Sequence, residues 1–295
     1  MPIRPFRAED AGSLVALSMQ CSRGETAFVL NPLWESEDEL FAEFARFGID
    51  PTEHLLVADA GDGEVLGLAG FIRDAGAPAA GMFCPIVRRN QRGRGLGGEL
   101  LRETIALGAK RLGIALAAAG IGTRNRGGYS LLTSHGFRPV RQHFLMRCER
   151  AQLSTEPPPA ELALEAAKQG DADAILALYT TCGFGERSRE RMQAVLGDGR
   201  HAHGVARAEG RVVAFVELET HWPSRVWVAY VGVVPELRAR GVGSALTAWA
   251  LGRRFEAGAE SGLLMLSPAN RTAVRAYEKA GFRRHRLVDV LEKSL

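Results

Sequence analysis

The feature that most constrains this chain is a duplication. The stretch Arg92-x-Arg94-Gly95-x-Gly97 returns 146 residues later as Arg238-x-Arg240-Gly241-x-Gly243. The run NRGGYSLLTSHGF (125–137) returns 145 residues later as NRTAVRAYEKAGF (270–282). Two different motifs held at nearly one offset mark a diverged tandem repeat, and a repeat of that length is a whole domain. A chain of 295 residues, 46% apolar and 24% charged, has core enough for two.

The rest of the pattern agrees. Pro157, Pro158 and Pro159 sit within RAQLSTEPPPAEL (150–162), where missing N–H groups favour an extended, semi-rigid connection. The reading is therefore a first domain over 1–150, a linker over 151–160 and a second domain over 161–295. Each half opens with a short strand and an acid-capped helix, Asp10 and Asp171 standing at the N-cap position. Strand-like runs follow at 55–59, 65–72 and 81–87 in one half, and at 203–208, 211–219 and 225–234 in the other. A helix follows each glycine motif, with Leu101, Ile105 and Leu112, or Val242, Leu246 and Trp249, on one face. The fold class is α/β (α+β).

Several functions are disfavoured at once. A net charge of +3 is no argument for nucleic acid, and GIALAAAGIG (113–122) is far too short to span a membrane. MPIRPFRAED lacks the apolar core of a signal peptide. Cys21, Cys84, Cys148 and Cys182 are widely spaced, as expected of free thiols in a reducing cytoplasm, with no metal-ligand spacing.

Gly93, Gly95 and Gly98 match the dinucleotide spacing G-x-G-x-x-G, but the second copy has Ala239 and Ser244 instead of the outer glycines. No acid follows about 20 residues on to hold a ribose, so a nicotinamide oxidoreductase is disfavoured. The part kept in both halves is a strand running into a glycine turn and a helix, which presents backbone N–H groups and a positive helix end to an anion. The arginines add charge and can fork onto phosphate oxygens. No Gly-Lys-Ser/Thr follows, so the expected ligand is a diphosphate with no obligatory metal.

This arrangement resembles the GNAT superfamily of N-acetyltransferases, whose signature Gln/Arg-x-x-Gly-x-Gly/Ala both copies satisfy. The resemblance spans almost the whole chain. It implies two tandem GNAT domains, each a mixed, mostly antiparallel sheet with helices on both faces, forming within one chain the pseudo-dimer of single-domain relatives. It further implies that acetyl-coenzyme A lies with its pyrophosphate on the loop: Arg238, Ala239, Arg240, Gly241, Val242, Gly243 and Ser244 in the second half. The first-half counterparts are Arg92, Gly93, Arg94, Gly95, Leu96, Gly97 and Gly98. Its pantetheine arm would pair with the backbone of Val231 and Val233, or Ile86 and Val87, where the fourth and fifth strands splay. Gly232 is read as the bulge that opens the slot. Asn270 and Asn125 cap the following helices and are expected to touch the coenzyme.

In the same family pattern Tyr277 is the general acid that protonates the leaving thiolate. A phenol near 10 serving a thiol near 8.5 is uphill by about 2 kcal/mol. For the base, Glu217 and Glu219 share one strand face and His221 follows; any of the three could take the ammonium proton, directly or through water. The first half carries Leu132 where Tyr277 stands, with Tyr129 nearly a turn earlier and Gly127 and Gly128 weakening the helix start. Chemistry is therefore expected in residues 160–295, with the first half a binder or a structural partner. Segments 21–48 and 182–199 would cover the two acceptor sides. The acceptor amine is read as belonging to a small molecule. A non-catalytic acyl-coenzyme A sensor or scaffold is the alternative, and Tyr277 argues against it.

Overall fold

The structure is a computed structural model and describes residues 2–23, 34–61, 63–73, 77–220 and 224–295. The first half runs β1 (Ile3–Pro5), α1 (Ala11–Arg23), α2 (Glu37–Arg46), α3 (Pro51–His54), β2 (Leu55–Asp59), β3 (Val65–Ile72) and β4 (Ala79–Val87). It continues with α4 (Leu96–Leu107), β5 (Leu116–Gly122), α5 (Arg126–Ser134) and β6 (Arg138–Glu149). The second half repeats the order without a counterpart of α3: β7 (Ala163–Ala166), α6 (Ala172–Cys182), α7 (Arg189–Gly197), β8 (His201–Ala208), β9 (Arg211–Glu219) and β10 (Arg225–Val233). Then come α8 (Val242–Glu256), β11 (Ser261–Leu266), α9 (Arg271–Ala280) and β12 (Arg283–Ser294).

Two compact units result, and they are not the two halves of the sequence. One comprises Met1–His143 with Arg286–Leu295, the other Phe144–His285. Each takes its last strand from the other half: β12 pairs antiparallel with β5 through Val288–Gly122 to Ser294–Leu116. In the second unit β6 pairs antiparallel with β11, from Phe144–Leu266 to Glu149–Ser261. The prolines mark only the stretch without regular structure at 153–159; pairing of the strands on either side decides the units.

In both units the sheet is antiparallel except where β4 meets β5 and β10 meets β11. Helices cover both faces. In the second unit Val216 and Leu218 of β9 pack with Leu246 and Leu251 of α8, while Phe215 packs with Ile175 and Tyr179 of α6. In the first, β3 is buried at all eight residues, as a strand covered on both sides must be.

Asp10 and Asp171 do not cap their helices through helical N–H groups. Each reaches back three residues, to Arg7 N at 2.8 Å and Lys168 N at 2.9 Å, and binds a strand arginine, Arg4 or Arg207. The ion pair needs a tertiary partner, which local periodicity does not reveal. The four cysteines form no disulfide with one another, and only Cys182 is not buried. No helix among the described residues is long and apolar enough to cross a membrane.

Candidate active site

The site grows from a divergence of strands. β10 is in register with β11 only over Arg225–Trp227, so Val228–Val233 continues with no β11 partner. β4 likewise leaves β5 after Gly81. The bulge that bends β10 lies at Ala229, between the pairs Val228–Leu218 and Tyr230–Glu217, and not at Gly232. Gly232 answers a different demand: a Cβ there would lie 2.4 Å from the Phe215 ring. In the first unit the register shift falls between Leu68 and Gly70 of β3, and Ile86 and Val87 of β4 are buried.

Each splayed strand feeds the glycine turn. Gly95 and Gly241 hold φ values of 89° and 84° as N-caps of α4 and α8, a left-handed conformation that suits glycine. Two residues earlier the turn again needs positive φ, met by Gly93 at 75° and by Ala239 at 60°. The first helical N–H groups, those of Val242 and Gly243 among them, have no acceptor within the helix. Gly243 sits close to β10: a Cβ would lie 3.4 Å from Val233 and 3.6 Å from Val231. Its counterpart Gly97 would meet Leu131 at 3.4 Å. Gly98 N bonds Gly95 O at 2.9 Å, while Ser244 turns its hydroxyl to Gly241 O at 2.8 Å, so both brace the turn; Leu96 is buried beneath it.

The arginines divide into two kinds. Arg92 Nε donates to Val87 O at 2.8 Å and Arg238 Nε to Val233 O at 3.0 Å. The same guanidiniums reach the equivalent thiols Cys21 (3.4 Å) and Cys182 (3.7 Å). These contacts tie the strand end to α1 or α6, although both side chains are exposed and Arg238 also lines the cleft described below. Arg94 and Arg240 stay exposed, Arg94 within 3.4 Å of Gln91 Oε1.

Opposite the loop, α9 begins at Asn270, whose Oδ1 accepts from Ala273 N at 3.1 Å, and ends at Gly281 with φ 111°. Asn125 caps α5 in the same way, accepting from Gly128 N at 2.9 Å. Gly128 has a packing reason, since a Cβ there would lie 2.4 Å from Ile121. Tyr277, half-buried, packs edge-on against Phe282 at 5.7 Å, and burial pushes its phenol up to about 12. Leu132 is fully buried in the first unit's core, and Tyr129 packs against that core.

These parts enclose one cleft of about 980 Å³ in the second unit, reaching from Phe184 and Val231 past the whole turn to Asn270 and Tyr277. Arg238, Arg240, Arg275 and Lys279 line it, and among the described residues no carboxylate does.

Beside it lies a polar cluster that sequence reading found only in part. Glu217 is 1% exposed, opposite His203 on β8 and Tyr230 on β10; Glu219 is half-buried, opposite His201 and Trp227. Glu217 accepts from Tyr179 and from Arg187 at 2.9 Å, with His203 at 3.3 Å and His201 at 3.6 Å. Burial works against its charge, yet these partners, the two histidines foremost, hold its carboxyl well below the usual carboxylate range. Arg187 also lies 4.6 Å over the Tyr179 ring. Atoms of His201, Glu217 and Glu219 lie within 4.8 Å of one another, but a metal there would sit against the Arg187 guanidinium. The histidines were legible as His-x-His, spaced to share one strand face; Tyr179 and Arg187 carried no such signal. His221 lies outside the described residues.

Comparison with known families now decides the class. The acetyltransferase (GNAT) family matches at residues 22–137 and again at 172–282. The chain belongs to the GNAT acetyltransferase family. It is an acyltransferase with two tandem GNAT domains, and both matches stop just before the exchanged strands β6 and β12. It is similar to a mycothiol acetyltransferase of Clavibacter michiganensis, 29% identical over 80% of this chain and 79% of that protein. Its fold is that of a GCN5-related N-acetyltransferase from Sphaerobacter thermophilus, with TM-score 0.79, 21% identity and coverage of 99% and 95%. A tandem GNAT protein from the clavulanic acid biosynthesis pathway has the same fold, with TM-score 0.76, 17% identity and coverage of 99% and 98%.

Proposed function

We propose that this GNAT protein transfers the acetyl group of acetyl-coenzyme A to the amine of a small molecule, and that the second unit carries the chemistry. The observation that carries the reading is the single cleft shared by the open edge of β10, the phosphate turn and Tyr277. The pyrophosphate rests on the N–H groups of the turn beside Arg240, and the pantetheine arm pairs with β10 at Val231 and Val233. A β10 N–H polarises the thioester carbonyl. The neutral amine attacks the carbonyl carbon, a C–N bond forms, and the C–S bond breaks as Tyr277 donates toward sulfur.

With the phenol near 12, complete proton transfer to a thiolate near 8.5 would cost about 5 kcal/mol. Tyr277 therefore acts as a hydrogen-bond donor to the departing thiolate and keeps its proton, and the proton that the attacking nitrogen sheds as the amide forms passes to the thiolate or to water. Glu217, held ionised by four partners and buried, is a weak base whose part is to hold the cluster in place. Glu219, beside it and half-buried, takes the ammonium proton directly or through water.

The relative's name puts a mycothiol-type acceptor first on the panel to be tried. The test is release of free coenzyme A from acetyl-coenzyme A with a panel of small amines, read with a thiol reagent. Acceptor-dependent release is the expected result. Tight binding of acetyl-coenzyme A with no release for any amine would favour the sensor reading instead.

A further inference from the structure

A second, smaller cavity of about 200 Å³ adjoins the cleft and shares Arg240, Gly241, Ser244 and Lys279 with it. Its other wall is the linker, Ser154 and Glu156 to Pro159. The linker is held here: Ser154 N bonds Ala280 O at 3.1 Å, and Glu156 N bonds Ser154 Oγ at 3.3 Å. Glu156 then reaches Lys279 Nζ at 3.0 Å, with both side chains more than half exposed. Four basic side chains line the larger cleft, and Glu156 is the one carboxylate lining either cavity among the described residues.

An anion site that places its only acid on one of its own cations weakens itself. An exposed pair of this kind is worth little, so it breaks readily when a stronger anion arrives. We propose that Glu156 is a tethered competitor for the phosphate-bearing end of the acyl thioester. It holds Lys279 in the free protein and yields it when the phosphates bind, with the prolines walling the nucleotide end of the site. This rests on the acetyl-coenzyme A reading above and adds a linker residue to it. The device exists because the chain is a tandem: the segment that joins the halves doubles as a wall of the second site.

The proposal has a counter-intuitive sign. Removing the acid should tighten binding. At low ionic strength, where such pairs are least screened, calorimetric titration of Glu156→Gln should show acetyl-coenzyme A bound about 2–5-fold more tightly than by the wild-type protein. Acetyl-pantetheine, which lacks every phosphate, should bind both proteins alike. In a Lys279→Met background the Glu156→Gln gain should vanish, because the competition has no prize. Equal affinity of wild type and Glu156→Gln for acetyl-coenzyme A overturns the proposal and leaves the functional reading standing. So does an equal gain for acetyl-pantetheine. Absence of acetyl-coenzyme A binding by both proteins overturns the two together.

Discussion

Counting back from the glycine turn, the two units diverge most at one row of the sheet. Val87 pairs with Gly67, and Val233 pairs with Ala214. Three residues farther along, the first unit has Gly70 and the second has Glu217. Gly70 is flanked across the strands by Leu55 and Phe83, Glu217 by His203 and Tyr230. On the helix above, Tyr179 of α6 corresponds to Ser18 of α1, which hydrogen-bonds its own helix at Val15 O. A Cβ on Gly70 would lie 2.3 Å from His54 O, so no acid could be restored there without moving the backbone. Trp34, Phe44 and Phe83 fill the neighbouring core. Both units keep the glycine turn, and only the second has the polar row.

The largest effect should come from disabling each turn in turn. Gly243→Glu brings a carboxylate and its bulk into the cleft, against Val231 and Val233, and should abolish turnover and acetyl-coenzyme A binding by the second unit. Gly97→Glu should leave turnover close to wild type. Steady-state rates of the two variants settle which unit is active; loss of activity in Gly97→Glu alone would reverse the assignment.

Next in size is the phenol. Tyr277→Phe should lower kcat about 10²–10⁴-fold, while acetyl-coenzyme A affinity changes little. Because burial places this phenol at about 12, it stays protonated throughout the working range, and the wild-type pH–rate profile should show no basic limb from it below about pH 11. Leu132, its counterpart, should behave in the opposite way. Leu132→Ala should cost about 2–5 kcal/mol of stability, seen in urea denaturation, because it empties a fully buried position. Equal kinetic and stability effects at the two positions would erase the distinction between the units.

Smaller again is the ion cluster. Glu217→Gln leaves Arg187 and two histidines facing a neutral amide and should destabilise the chain by about 3–5 kcal/mol at neutral pH. The sign with pH follows from the direction of the shift. A carboxyl held below its ordinary value contributes above about pH 5 and loses that contribution as pH falls through the acid range. Wild type and variant should therefore converge in stability on acidification. A gap that stays constant from pH 7 to pH 3 would mean that packing, and not charge, is what Glu217 supplies.

Much of the scaffold was open to sequence reading because its signals are local. The strands at 65–72 and 211–219, and the caps Asn125 and Asn270, stand where turn residues and periodicity put them. The exchange of β6 and β12 was not legible, because a strand's pattern states which residues face a core but not which strand it joins. The arginines show the same limit. Arg-x-Arg announces positive charge, whereas Arg238 spends its guanidinium on Val233 O, a partner fixed only once the turn has formed. Part of the polar cluster was visible as Glu217 and Glu219. Tyr179 and Arg187 come from a helix and a loop distant in sequence, and only packing brings them to it.

The smallest effect should lie at one position of the turn, where the copies differ by one methyl group. Gly93 and Ala239 occupy the same place with φ near 75° and 60°. An alanine pays a steric cost of about 1–2 kcal/mol in that region, partly offset because it also restricts the unfolded chain. Ala239→Gly should therefore stabilise the second unit by about 0.5–1 kcal/mol, and Gly93→Ala should destabilise the first by a similar amount. A Cβ on Gly93 would meet no atom within 4 Å, so clashes do not confuse the comparison. Thermal melting of the two variants reads the effect directly. If Ala239→Gly instead lowers both stability and acetyl-coenzyme A affinity, the strained alanine is holding the turn in its binding shape, and the two turns are then unequal as anion sites despite their shared arginines.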